Sequence, residues 1–530
     1  MGVGARFEVP FGTWWGSRSG PGFSRVVWVA AVLAFLARFP SLLWPLRPDE
    51  AGFLLVARAW HPEPDSVYGH YWVDRPPPII ALMKLTDWVG GPYAHRFVGA
   101  LACSALVLCA AGATREVARR MGVVDDTALR QLPGWVAVAA AGLVVNAQID
   151  SAGAKGELFG IPLVMGACWL ALRAVRRVST WDAFWAGALA MLAVGMKQSI
   201  VGGLVFGAVL LVASGLAGHL PWRSVARCGA AAAAGAAVPV LTVVGWALVA
   251  GVRLGTLWYV VVSFRSDASR VIAAQTSAAA TSRISVLLLV FVGSGMVFLL
   301  VCFLARIRGL VRRDLVLVSA IVAVLAVDLA GVAVSGSYWT PYLFVPMPGI
   351  ALAVAALVAH GHLDRRWHLV TPAAVAFVVA SSVFSLVGWT SAWVAGRVPT
   401  EVRTGEAIAA AERLGDRVLV YGGRADIQWA SGAQSPYPYL WSLPMRVLDP
   451  RLKDLHSVLT GANPPTWFVQ ATFVNAWSEL GTRPIERSLL SKYDYVTTAC
   501  GRYRIYRLNS VDPVTLDVDC TTPYRTIWGR

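Results

Sequence analysis

Apolar residues along this chain run in long blocks and do not alternate with polar ones. Blocks near residues 26–46, 94–114, 133–149, 157–174, 182–198, 200–217, 229–251, 285–305, 314–334, 341–359 and 369–391 approach or exceed the roughly 20 residues a helix needs to cross a bilayer. The pattern predicts about eleven spans, the fifth and sixth separated by little more than Ser199. Alternate connections are basic: Arg115, Arg119, Arg120 and Arg130; Arg173, Arg176 and Arg177; Arg223 and Arg227; Arg306, Arg308, Arg312 and Arg313; Arg365 and Arg366. Positive residues hold loops in the cytoplasm, so the N-terminus is expected there too, and an odd number of spans puts the C-terminus outside. Arg18 and Arg25 precede the first block, but no small-x-small cleavage site follows it. Arg38, Phe39 and Pro40 come next, as for an uncleaved span.

Three segments on the outer side are long enough to carry function: 47–93, 252–284 and the tail from about 397 to 530. The tail has no span-length apolar run. Thr404–Leu414 carries Ala407, Ile408, Ala411 and Leu414 on one helical face. Arg417–Tyr421 and Thr466–Gln470 read as buried strands, and Tyr493–Thr498 with Tyr503–Leu508 as a hairpin around Cys500, Gly501 and Arg502. Strands mixed with helices predict a small α/β unit. The expected organisation is a membrane domain over 1–396 and an extracytoplasmic α/β domain over 397–530. No internal repeat is present.

Composition agrees. Of 530 residues, 57% are hydrophobic and 14% charged, against about 25% charged in soluble proteins. The net charge of +16 would suggest nucleic acid in a soluble chain. Here the cations lie between spans, and no basic patch with interleaved aromatics occurs, so nucleic acid is not an expected partner. Cys103, Cys109, Cys168, Cys228 and Cys302 lie in or beside apolar blocks, where a thiol behaves as a small hydrophobe. Cys500 and Cys520 are alone in the outer tail, where oxidation is permitted. They are expected to pair as a disulfide, the plainer alternative being two separate thiols. No spacing resembles a zinc site.

The densest candidate chemistry lies in the first outer loop: Arg47-Pro48-Asp49-Glu50-Ala51-Gly52-Phe53, then Tyr68 to Pro78 with Asp74-Arg75-Pro76-Pro77. Ala51–Trp60 and Ile79–Val89 are too short and interrupted to span, and suit helices lying at the interface. An acidic pair at the mouth of a span would hold a carboxylate beside a membrane-borne substrate. The plainer alternatives are an N-cap for Asp49, a local ion pair for Asp74 and Arg75, and a stiff proline turn.

An apolar span, then Pro-Asp-Glu, then Asp-Arg-Pro-Pro, then a second span reached through Arg96 resembles the GT-C glycosyltransferases. Within them it looks like the branch of bacterial protein O-mannosyltransferases and the lipid A aminoarabinose transferase. The likeness is strongest over 26–120. It continues through Asn146–Phe159, with Asp150, Lys155 and Glu157, and through Lys197-Gln198, Tyr342 and Pro348. It implies a GT-C-like fold and inverting transfer of a monosaccharide from a polyprenyl phosphate to a glycan, lipid or protein outside the cytoplasm. In this resemblance Asp49 matches the base position and Glu50 is the adjacent acid, orienting the site or a metal. Arg75 stands where relatives often carry Lys and would bind the lipid phosphate, as guanidinium does bidentately. Arg265, Arg270 and Tyr342 are further donor-phosphate candidates, and relatives often carry His where Pro341 stands. Glu157 and Asp150 are candidates for a second acid or metal ligand, which leaves room for a divalent cation (Mg or Mn). Lys155 with Glu157 also reads as an interfacial salt bridge, and Lys197 as a snorkelling side chain. In the tail, Trp429, Tyr437, Tyr439 and Trp441 suit core packing, contact with the membrane part, or a sugar-stacking surface.

The expected localisation is the plasma membrane, multi-pass. Two other classes fit the span pattern: a transporter or flippase for a lipid-linked glycan, and a non-enzymatic envelope assembly protein. Neither needs an acid pair on an outer loop. No Gly-x-Gly-x-x-Gly follows a strand, so nucleotide-sugar chemistry has no support.

Overall fold

The computed structural model describes residues 22–150, 152–274, 278–364, 370–394, 396, 398–476 and 479–522. Arg18, Arg365 and Arg366 lie outside the described residues. The chain is mostly α-helical, with a small four-stranded sheet near its C-terminal end.

Among the described residues, seven helices are long and apolar enough to cross a membrane, or eight counting the bent pair Ala280–Gly293 and Met296–Arg313 as one span. The chain is thus a multi-pass membrane protein. The other three predicted spans fall on Asp126–Val144 and on the shorter apolar helices Thr180–Met196 and Gly202–Leu216. The bent pair turns by 65° at a break where Gly295 has φ +87°, a conformation that glycine adopts without a Cβ clash.

The helices gather their basic ends at one rim. Arg119 and Arg120, Arg176 and Arg177, and Arg312 and Arg313 lie in the last turns of Pro77–Arg120, Gly156–Arg177 and Met296–Arg313. Arg120 pairs with Asp314 at 2.6 Å, Arg176 with Glu116 at 2.5 Å and Arg173 with Asp182 at 3.0 Å. Arg75 and Lys155 lie just before the other ends of Pro77–Arg120 and Gly156–Arg177, and Lys197 follows the C-terminal end of Thr180–Met196.

The first loop folds as a short helix, Pro48–Arg58, and an irregular return, and helix Pro77–Arg120 follows. That long helix breaks at Gly90 and Gly91 (Gly91 at φ +61°) just before Pro92. The break separates the predicted interfacial stretch from the span proper.

In the tail, β1 (Val418–Tyr421) pairs parallel with β2 (Trp467–Gln470). β2 pairs antiparallel with β4 (Tyr503–Leu508), and β4 with β3 (Tyr493–Ala499). One face carries Leu419, Tyr421 and Phe468 against Leu455, Leu459, Ile485 and Leu489. The other carries Val418, Val420, Trp467 and Ile505 against Ile408 and Ile427. Two covered faces explain why β1, and β2 up to Gln470, are apolar. Cys500 and Cys520 are joined as a disulfide, with Cα atoms 5.3 Å apart.

Candidate functional site

The site is built on the first turn of Pro48–Arg58. Pro48 takes the first helical position, where its missing N–H costs nothing. Asp49 and Glu50 follow at the positive end of the helix dipole. Glu50 turns inward. Its Oε2 accepts from Arg47 N at 3.0 Å and Arg96 Nη2 at 2.8 Å, and its Oε1 from Arg96 Nε at 3.1 Å and Ala154 N at 2.9 Å. Arg96 spends its other donors on the carbonyls of Ser41, Trp44 and Pro45. Their side chains are 0% and 1% exposed. Burial pushes the Glu50 carboxyl up, but Arg96 outweighs it and holds the group at about 2. So enclosed, both Glu50 oxygens are engaged by Arg47, Arg96 and Ala154.

Asp49, one residue earlier, points the other way, with 39% of its side chain exposed. Lys155 Nζ lies 2.8 Å from Oδ2, and Trp441 Nε1 donates to Oδ1 at 3.2 Å. Burial raises this carboxyl as well, but Lys155, Arg75 and the Trp441 hydrogen bond hold it at about 2. Lys155 caps the start of Gly156–Arg177 and lies 4.0 Å from Asp150 Oδ2. Burial alone would lower its ammonium, and Asp49, Asp150 and Glu157 raise it above the usual lysine value. Asp150 caps its own loop through Ala152 N and Gly153 N, at 3.2 and 2.8 Å.

Asp74 gathers two guanidiniums. Arg75 Nη1 binds its Oδ1 at 2.8 Å and Arg265 Nη2 its Oδ2 at 2.9 Å, while Gln198 Nε2 holds its carbonyl at 2.7 Å. Arg75 also lies 5.5 Å from the Phe53 ring centroid. Burial would lower its guanidinium, and Asp74, Glu157, Asp49 and Tyr342 raise it instead. Lys197 Nζ pairs with Glu157 Oε1 at 2.6 Å and sits 4.0 Å over the Tyr342 ring. The ion pairs form three groups, Asp49–Lys155–Asp150, Arg75–Asp74–Arg265 and Lys197–Glu157, and the charges of Asp49 and Glu157 reach both Arg75 and Lys155, which draws the four cations and four carboxylates into one cluster.

Three expectations change. Lys155 pairs with Asp49, and Glu157 with Lys197. Lys197 is buried in that pair and does not snorkel. Arg270 lies outside the cluster, 78% exposed and paired with Asp267 at 2.5 Å. The tail aromatics divide. Tyr437 is buried with its hydroxyl on Asp449 at 2.9 Å, and Tyr439 packs edge-on against it. Trp429 lies under Arg58 at 4.0 Å, and Trp441 packs on Phe53 with ring centroids 5.3 Å apart. The contact of Trp441 with Asp49 is among those the sequence did not specify, because nothing local places position 441 beside position 49.

A divalent ion does not fit these donors. Lys155 occupies the space between Asp49 and Asp150, Lys197 neutralises Glu157, and among the described residues no three His, Cys, Asp or Glu side chains converge as metal ligands.

No family model matches this chain, and no curated protein matches it. Among solved structures it is similar to the oligosaccharyltransferase of Archaeoglobus fulgidus crystallised in complex with Zn and sulfate. The identity is 14%, over 91% of this chain and 73% of that one, with a TM-score of 0.48. It is also similar to ArnT from Cupriavidus metallidurans bound to undecaprenyl phosphate, at 13% identity over 92% of this chain and 98% of that one, with a TM-score of 0.43.

Proposed function

We propose that this chain is a membrane glycosyltransferase that moves a monosaccharide from a polyprenyl phosphate to a glycan, lipid or protein acceptor outside the cytoplasm, with inversion. The observation that carries the reading is Asp49. It is an ionised, partly exposed carboxylate with both oxygens fixed, in one cluster with two guanidiniums clamped on Asp74.

The chemistry asks for these parts. The acceptor hydroxyl attacks the anomeric carbon and passes its proton to Asp49, a carboxylate general base. As the new C–O bond forms, the bond from that carbon to the phosphate oxygen breaks, and its electron pair leaves on the phosphate. Arg75 and Arg265, with Lys197 nearby, receive the growing negative charge. Attack opposite the leaving group inverts the anomeric centre. A phosphate entering beside Arg75 also offsets part of the field that depresses Asp49, making it a better base once the donor is bound. No step calls for a metal.

In this reading the basic rim faces the cytoplasm, the N-terminus lies there, and the membrane is the plasma membrane. Residues 1–396 form the catalytic membrane domain and 397–530 an extracytoplasmic domain. A lipid-linked glycan transporter would also need basic loops, but not a carboxylate held between a lysine and an indole.

Purified protein incubated with a panel of radiolabelled polyprenyl-phosphate sugars and cell-envelope acceptors tests the proposal. Label moving to an acceptor with release of polyprenyl phosphate supports it. Donor binding without transfer across the whole panel contradicts it.

A further inference from the structure

The first loop and the tail meet at one point that concerns the reacting carboxylate. Helix Pro48–Arg58 places Gly52 one turn after Asp49, and Trp441 lies across it. A Cβ at Gly52 would fall 2.3 Å from Trp441 Cζ2 and 2.8 Å from Cη2. Only a residue without a side chain lets the indole lie this close to the helix. The ring also packs on Phe53, and its N–H reaches Asp49 Oδ1 at 3.2 Å.

The segment carrying Trp441 is itself tied to the first loop. Ser435 N donates to Tyr71 Oη at 2.9 Å, a His70 ring nitrogen lies 2.6 Å from Ser435 O, and Trp72 N donates to Pro438 O at 3.1 Å. These contacts hold residues 435–441 in register with 70–72, so the indole is carried by two anchored backbones.

An indole N–H only donates. It cannot compete with Asp49 for the acceptor's proton, and it does not titrate. Lys155 holds Oδ2, so a donor on Oδ1 fixes the rotation of the carboxylate plane. The ring also covers one side of the group with apolar surface, which leaves an acceptor fewer directions of approach.

We infer that Trp441, supplied by the C-terminal part of the chain, is a positioning residue that orients the Asp49 carboxylate for proton abstraction, and that Gly52 is the cradle that admits it. The inference rests on the reading of Asp49 as the base. It makes the tail part of the catalytic site: protein lacking an intact 435–441 segment would bind donor and transfer poorly.

Two variants test it without touching Asp49. Trp441→Phe keeps an aromatic ring and removes the N–H. Gly52→Ala leaves Trp441 intact and pushes its ring off the helix. Both are measured as purified full-length protein for donor KM, kcat and the pH profile of kcat/KM, beside Asp49→Asn. A misplaced reacting group costs roughly ten- to a hundredfold, so kcat is expected to fall by about that factor in both variants. Donor KM is expected to stay within about twofold, because neither residue touches the phosphate clamp. The acid limb of the profile moves to higher pH, because the carboxylate has lost a donor. Wild-type kcat with an unmoved acid limb in both variants overturns the positioning role. So does a loss accounted for wholly by less folded protein. If Asp49→Asn itself turns over like wild type, the base assignment fails instead, and that result is separate from the other two.

Discussion

Lys155 Nζ lies 2.8 Å from Asp49 Oδ2, joining the start of helix Gly156–Arg177 to the first turn of the loop helix. This ammonium stands first among the groups that hold Asp49 at about 2 against the effect of burial. Lys155→Met therefore leaves burial less opposed, and the carboxyl rises. Asp49 acts deprotonated, so the acid limb of kcat/KM moves to higher pH. The loss of activity is greatest at low pH and partly recovers as pH rises. A pH–rate profile of the variant checks this, and a loss equal at every pH would contradict it.

Glu50 and Arg96 are predicted to behave as a structural pair. Glu50→Gln removes one charge and leaves Arg96 buried without its partner, which costs about 3–5 kcal/mol. The expected result is a lower Tm of the purified protein in detergent and a smaller folded yield. Asp49→Asn, at a partly exposed position, should melt close to wild type.

Asp74 holds Arg75 and Arg265 side by side, whereas Arg270 is exposed on its own pair with Asp267. Arg75→Ala and Arg265→Ala should each weaken polyprenyl-phosphate binding by about tenfold or more, as for a lost charge-assisted hydrogen bond. Arg75→Lys should recover part of that loss, and Arg270→Ala should stay within about twofold. Titration calorimetry with polyprenyl phosphate measures the series. Equal losses at all three arginines would disperse the proposed clamp.

Orientation is open to direct labelling in a cysteine-free background. Ser457, exposed on helix Lys453–Thr460, should react as Ser457→Cys with an impermeant maleimide in intact cells. Val124, exposed in the turn after the basic end of Pro77–Arg120, should react as Val124→Cys only after permeabilisation. The reverse pattern would invert the proposed topology.

Much of this was legible from order and periodicity. The apolar blocks locate the helices because backbone groups in lipid must be satisfied within the segment. The strands around Tyr421 and Phe468 were marked by short apolar runs, and those around Tyr493 and Ile505 by the turn at Cys500, Gly501 and Arg502. What could not be read were the pairings between distant positions. Asp49, Lys155 and Trp441 are separated by more than 100 residues at each step, so their contact depends on tertiary packing and no local pattern encodes it. The same limit hid the exchange of partners between Lys155 and Lys197. Gly52 did carry a signal, a helical glycine beside an acidic pair, but its meaning appears only with Trp441 in place.

The central claim is that Asp49 takes the acceptor's proton, and turnover of Asp49→Asn tests it most directly. The substitution keeps the size of the side chain and removes the proton acceptor. With a labelled polyprenyl-phosphate sugar and its acceptor, kcat should fall by roughly a hundredfold or more, while donor binding changes little. Turnover at the wild-type rate, with the variant present at wild-type level, would contradict the account.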